Sequence, residues 1–157
     1  LITQVPYAGW SVSVLEEQDI WELYTLRANL EGLAARLAAE RITEAGAEQL
    51  KQSYQGLLQL CEGEDLQAIT RADLALHKTI IELSGHKRLA QQYQLIENQF
   101  LSYITASNRV FDPHEVGPCH EALVDAICAG EGEQAELEAV KNITGFEELQ
   151  EELAQKN

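Results

Sequence analysis

The sequence has no methionine, three cysteines, three prolines, and only 11 lysines and arginines against 26 aspartates and glutamates. Each scarcity excludes something. The basic shortfall leaves a formal charge of −15. A duplex phosphate backbone repels such a surface, so the bulk of the chain is not a nucleic-acid binder. Cys61, Cys119 and Cys128 are too sparse, and odd in number, for a disulfide framework; reduced thiols and a cytoplasmic location are expected. No apolar run approaches about 18 residues, which argues against a membrane span. The first residues lack the basic-then-apolar pattern of a secretory signal. No Gly-rich phosphate loop, nucleophile elbow or CxxC motif occurs. The start at Leu1, in a chain without methionine, leads us to expect a piece of a longer protein.

What is present is a core-forming composition: 157 residues, 45% of them hydrophobic, enough for one domain. Residues 1–14 carry no charge, and Trp10, Val12 and Val14 alternate with Ser11 and Ser13. That period predicts a strand, with Pro6-Tyr7-Ala8-Gly9 turning a short hairpin. From about residue 16 the chain reads as helix. Leu23, Leu26, Leu30, Leu33 and Leu37 form an amphipathic stripe over roughly 17–41. Further helices are expected over roughly 43–62 (Leu50, Leu57, Leu58, Leu60), 65–84, 87–107 (Leu89, Tyr93, Ile96, Phe100, Ile104), 115–129, and from 133 to Leu153. Gly63, Gly85 and Gly130 supply stops.

Four polar residues fall on apolar faces of these helices. Asp73 and His77 are i and i+4, on or beside a face with Ile69, Leu76, Ile80 and Leu83. His120 shares a face with Val124 and Ile127, and Asn142 with Ala135, Ala139 and Phe146. Buried polar groups require partners, and bundle interiors hold metals with side chains from facing helices. Imidazole nitrogen and carboxylate oxygen suit Zn²⁺, Ni²⁺, Fe²⁺ or Mn²⁺ without choosing among them. Arg27, close to the inner stripe, offers a bidentate cation for a ligand carboxylate. The residues alone leave other readings open. Asp73–His77 can be a local hydrogen-bonded pair, His120 a satisfied core histidine, Asn142 a cap, and Arg27–Glu31 an i,i+4 ion pair. Cys128 reads as core. His86 and His114 sit at breaks and read as solvated, and Cys119 diverges too far from His120 for a shared metal.

The stretches Asp19–Glu31 (DIWELYTLRANLE) and Ala34–Ala39 (AARLAA) resemble the opening helix of the FCD effector domain of FadR-subfamily regulators in the GntR superfamily. Ala72–His77 (ADLALH) is similar to that family's aspartate–histidine helix, and His120–Ile127 (HEALVDAI), with Gly130, to its next histidine helix. The spacings, 4 from Asp73 to His77 and 43 from His77 to His120, match. The resemblance implies an all-α, antiparallel bundle of six or seven helices over 16–157. Residues 1–15 would be the remnant of the wing of a winged-helix DNA-binding domain. It implies Asp73, His77 and His120 as metal ligands. Asn142 stands where the family usually has a third histidine, a departure that weakens the fourth ligand or favours a harder ion. It further implies a homodimer, a small carboxylate metabolite as effector, DNA contacted through the winged helix, and no enzymatic role. A metal-dependent enzyme and a purely structural dimerisation bundle are the competing readings.

Overall fold

The computed structural model describes residues 2–5, 9–12, 17–110 and 112–143, with 151 and 155; side chains are described from Gln18 onward. Strands β1 (Ile2–Val5) and β2 (Gly9–Val12) pair antiparallel, with Ile2 opposite Val12 and Val5 opposite Gly9. Most of the expected turn, residues 6–8, lies outside the described residues. The helices are α1 (Glu17–Glu40), α2 (Glu44–Cys61), α3 (Leu66–Leu83), α4 (Lys87–Val110), α5 (Pro113–Val116), α6 (Glu121–Cys128) and α7 (Gly132–Asn142). Pro118–His120 form a 3₁₀ turn between α5 and α6. The chain is an all-α bundle beyond its N-terminal strands.

Side chains set the helix starts. Thr43 Oγ1 accepts from the Gly46 amide at 3.1 Å, and Asp65 Oδ1 from that of Ala68 at 3.0 Å. His86 Nδ1 accepts from Leu89 N at 3.1 Å, so this histidine starts α4 rather than standing in water as expected. His114 is exposed, as expected, while its Nδ1 is hydrogen-bonded to the Cys61 carbonyl. After α3 and α6 the chain turns at Gly85 (φ 64°) and Gly130 (φ 77°), conformations that disfavour a Cβ.

The buried stripe of α1 is not the leucine stripe. Leu23 is buried, but Leu26 and Leu33 are 42% and 41% exposed, and Leu30 and Leu37 are half-buried. Ile20, Arg27, Glu31, Ala34, Ala35, Ala38 and Ala39 point inward instead. The reason is a close antiparallel seam between α1 and α7. A Cβ on Gly32 would lie 3.3 Å from Val140 Cγ2, and one on Gly132 would lie 3.0 Å from Glu40 Cγ. Leucines at this seam would hold the helices apart and forfeit those contacts. Arg36 ties its edge to Glu40 at 3.0 Å and to Glu136 at 3.4 Å. In α2, Leu50 and Leu57 are buried and Leu58 half-buried, whereas Leu60 is exposed. Cys128 is half-buried against the core rather than within it.

Two expected helices are corrected. The 115–129 segment is interrupted, because Pro118 has no amide to donate and its ring clashes with the preceding turn. His120 therefore ends a 3₁₀ turn instead of riding mid-helix. The last helix stops at Asn142: Ile143 leaves the helical region with ψ 86°. Residues 144–150 and 152–154 of its expected continuation lie outside the described residues. Among the described residues no helix is long and apolar enough to cross a membrane.

Candidate metal and ligand site

Asp73 and His77 project from one face of α3, a turn apart, and are only 5% and 4% exposed. His120, 2% exposed, meets them from the turn that opens α6. Three atoms converge. His77 Nε2 lies 3.3 Å from Asp73 Oδ1, His120 Nε2 lies 3.2 Å from the same oxygen, and the two Nε2 atoms are 3.2 Å apart.

The far sides of the two rings say what these atoms carry. His120 Nδ1 lies 2.7 Å from the Val116 carbonyl, which can only accept, so Nδ1 bears the proton. His77 Nδ1 lies 2.9 Å from Glu31 Oε2, which selects the same tautomer. Both Nε2 atoms then present lone pairs to each other and to Asp73 Oδ1. That oxygen is buried and accepts no hydrogen bond among the described residues. Three converging lone pairs require a positive charge between them. An ion about 2.1 Å from three such donors would set them about 3.0 Å apart at octahedral angles or about 3.4 Å at tetrahedral ones. The observed edges fall between, so Asp73, His77 and His120 fit a divalent metal.

A proton on either Nε2 would relieve the same crowding, and the acidities register this. Burial pulls both imidazoles down, but Glu31 and Asp73 at His77, and Asp73 and Cys119 at His120, outweigh it. Both histidines are raised, His120 well above its ordinary value. Burial pushes Asp73 up, yet the two imidazoles hold it well below the usual carboxylate range.

A further layer of buried groups orients these three. Glu31 takes Arg27 Nε at 3.0 Å and Nη2 at 3.2 Å, receives the Tyr93 hydroxyl at 2.9 Å, and receives His77. Burial alone would raise Glu31, but Arg27 and His77 bring it down to about 2. Arg27 is itself buried, 5.7 Å and 5.4 Å from the ring centres of Phe100 and Tyr103. Asn108 donates to Asp73 Oδ2 at 3.1 Å and to Thr70 Oγ1 at 3.4 Å.

A cavity of about 180 Å³ opens beside this network. Arg27, Asp73, His77, His120 and Asn142 all line it, so the five residues singled out from the sequence share one space. Asn142 is half-buried at its edge, and its Nδ2 lies 3.3 Å from the Cys119 carbonyl and 3.4 Å from Cys119 Sγ. Arg27 reaches the cavity already paired with Glu31. Cys119 Sγ lies 3.5 Å from His120 Nδ1, on the ring edge away from His77. Sequence reasoning missed Glu31 as the partner of His77, along with Tyr93, Asn108, Thr70 and the cavity residues Glu115 and Ser107. Only Glu31 left a signal, as a charge on the inner side of α1.

Fold and cavity together define the class: a helical bundle built round a buried histidine–carboxylate pocket. The chain belongs to the FCD domain family, whose model matches residues 22–144. A probable D-xylose utilization operon transcriptional repressor of Paenarthrobacter nicotinovorans is 24% identical over 140 residues, covering 89% of this chain and 62% of that one. The HTH-type transcriptional regulator LutR of Bacillus subtilis (strain 168) is 23% identical over 142 residues, covering 87% and 64%. The chain thus spans under two thirds of the length of these relatives. Among solved structures, E. coli McbR/YncC superimposes with a TM-score of 0.79 at 18% identity, covering 99% of this chain and 78% of that one. Streptococcus agalactiae GntR gives 0.63 at 18%, covering 90% and 71%. These two likenesses concern the fold.

Proposed function

We propose that residues 16–157 are the effector-sensing and dimerising domain of a transcriptional regulator, and that residues 1–15 are the remnant of a DNA-binding wing. The domain has no enzymatic role in this reading. The observation that carries it is the convergence of Asp73 Oδ1, His77 Nε2 and His120 Nε2 beside a cavity. Relatives named as transcriptional regulators support the regulatory role. Asp73, His77 and His120 hold a divalent metal (Zn²⁺, Ni²⁺, Fe²⁺ or Mn²⁺), with Asn142 at its border. The ion supplies coordination positions for the carboxylate of a small organic acid. Arg27, which lines the same cavity, steadies that carboxylate, while Glu31 and Val116 hold the imidazoles in place. Ligand binding favours one arrangement of α1, α3 and α6, and the attached winged helices shift their spacing on DNA. Leu26 and Leu33, exposed on one face of α1 beside half-buried Leu30 and Leu37, support a homodimer.

The test is metal analysis of the purified chain, followed by melting curves with small acids, with and without metal. An acid that raises Tm only in the metal-loaded chain supports the reading. If no acid raises Tm in either state, the sensing role is lost. One second reading has an observation in its favour. The same three atoms are satisfied by a shared proton, which would make the cluster a structural polar core. In that case chelator changes neither stability nor ligand response.

A further inference from the structure

The cavity contains one carboxylate that the network around the imidazoles does not use. Glu115, on α5, lines it and is exposed, which places this charge at the mouth. Among the described residues, no cation lies within ion-pair distance of it. The positive charge of the cavity is already committed. Arg27 gives two of its nitrogens to Glu31, and Asp73 offsets part of any divalent ion held by the imidazoles. A ligand's first carboxylate finds that ion and the edge of Arg27. A second carboxylate directed to the mouth meets Glu115, and like charges repel. A hydroxyl or ammonium at the same place donates to Glu115 instead. Size narrows the choice further. About 180 Å³ is below the usual 300–1,000 Å³ of drug-sized sites.

We infer that Glu115 sets the ligand class: a small monocarboxylate bearing a hydroxyl or ammonium donor, with dicarboxylates excluded. This rests on the acid-sensing role proposed above. The repulsive group discriminates against the wrong ligand, while the correct one gains a hydrogen bond.

Matched acids test it on the Zn²⁺-loaded chain by calorimetry and melting curves. Glycerate is compared with tartronate, and 4-hydroxybutyrate with succinate; each pair exchanges one donor for one carboxylate. Isoserine carries an ammonium in place of the terminal hydroxyl of glycerate, and the tighter of the two identifies the donor. The expected result is about tenfold tighter binding of the monoacids. Glu115→Gln narrows that gap below threefold by strengthening the diacids, and Glu115→Lys reverses it. Glu115 is exposed, and circular dichroism checks that each variant folds. A diacid preference in the wild type, or an unchanged ratio in Glu115→Gln, overturns the inference while leaving acid sensing intact. If none of the five acids binds with or without Zn²⁺, acid sensing fails too, a distinguishable outcome.

Discussion

The seam between α1 and α7 and the cavity lined chiefly by α3, α4, α5 and the 3₁₀ turn after it are built from opposite materials. The seam is made of Gly32, Ala35, Ala39, Ala135 and Ala139, and works by letting two backbones approach. The cavity is made of charges and rings taken out of water, and works by matching each lone pair with a donor or a cation. The seam should therefore respond to volume and ignore metal and pH. The cavity should respond to charge and tolerate little else. α1 belongs to both: Gly32 faces α7 while Arg27 and Glu31 face the site.

The largest effect expected is on metal binding. His77→Ala or His120→Ala removes one of three donors and should weaken Zn²⁺ by more than about 100-fold, read by competition with a chelating dye. The Zn²⁺-induced rise in Tm, worth about 2.7 kcal/mol at a hundredfold excess over Kd, should vanish with it. A retained rise would place the metal elsewhere. Next, Glu31→Gln leaves Arg27 buried beside a neutral amide. Breaking a buried pair in this way costs about 3–5 kcal/mol, measurable by urea unfolding, and should loosen Zn²⁺ about 10- to 100-fold through His77.

Gly32→Leu probes the other region. Its side chain must displace Val140, an overpacking that costs about 1–3 kcal/mol, with the Zn²⁺ Kd unchanged. If that Kd shifted tenfold, the two regions would not be separable. The pH response separates them again. His77 and His120 are raised from 6.5, so the stability they lend the metal-free chain is full below about 6.5. It declines as pH rises through their folded values. Zn²⁺ needs the neutral rings, so its stabilisation grows over the same interval. Glu31 acts at the other end: its contribution is present above about 4.5 and lost as pH falls through about 2. Melting curves with and without Zn²⁺ should diverge above pH 6.5; parallel curves would contradict the site. The smallest effect belongs to Asn142. With its amide nitrogen on Cys119, Asn142→Ala should change the Zn²⁺ Kd by less than about tenfold.

Much of the architecture was legible because helix periodicity is strong where leucines, isoleucines and aromatics recur. The inner face of α4, with Leu89, Tyr93, Phe100 and Ile104 buried, came out as expected. In α1 periodicity misled. Two stripes on neighbouring faces both have helical spacing, and the smaller residues won because α7 comes close. Period also cannot see Pro118 convert the start of a helix into a 3₁₀ turn. Within the site, Asp73 and His77 were readable because their spacing is local. Glu31 was not readable as the partner of His77, because Arg27 offered it a nearer one and the chain separation hides the second contact. Asn108 reaches Asp73 only through the rotation of α4 against α3, which no local pattern encodes.

The two imidazoles differ in what anchors their outer nitrogens. His77 leans on the carboxylate of Glu31, which a single codon change deletes. His120 leans on the main-chain carbonyl of Val116, which every amino acid possesses. Heritable variation can therefore detune the first ring by simple exchange. It can reach the second only by re-routing the peptide between α5 and α6, so drift in this domain should erode the α1 anchor long before the other.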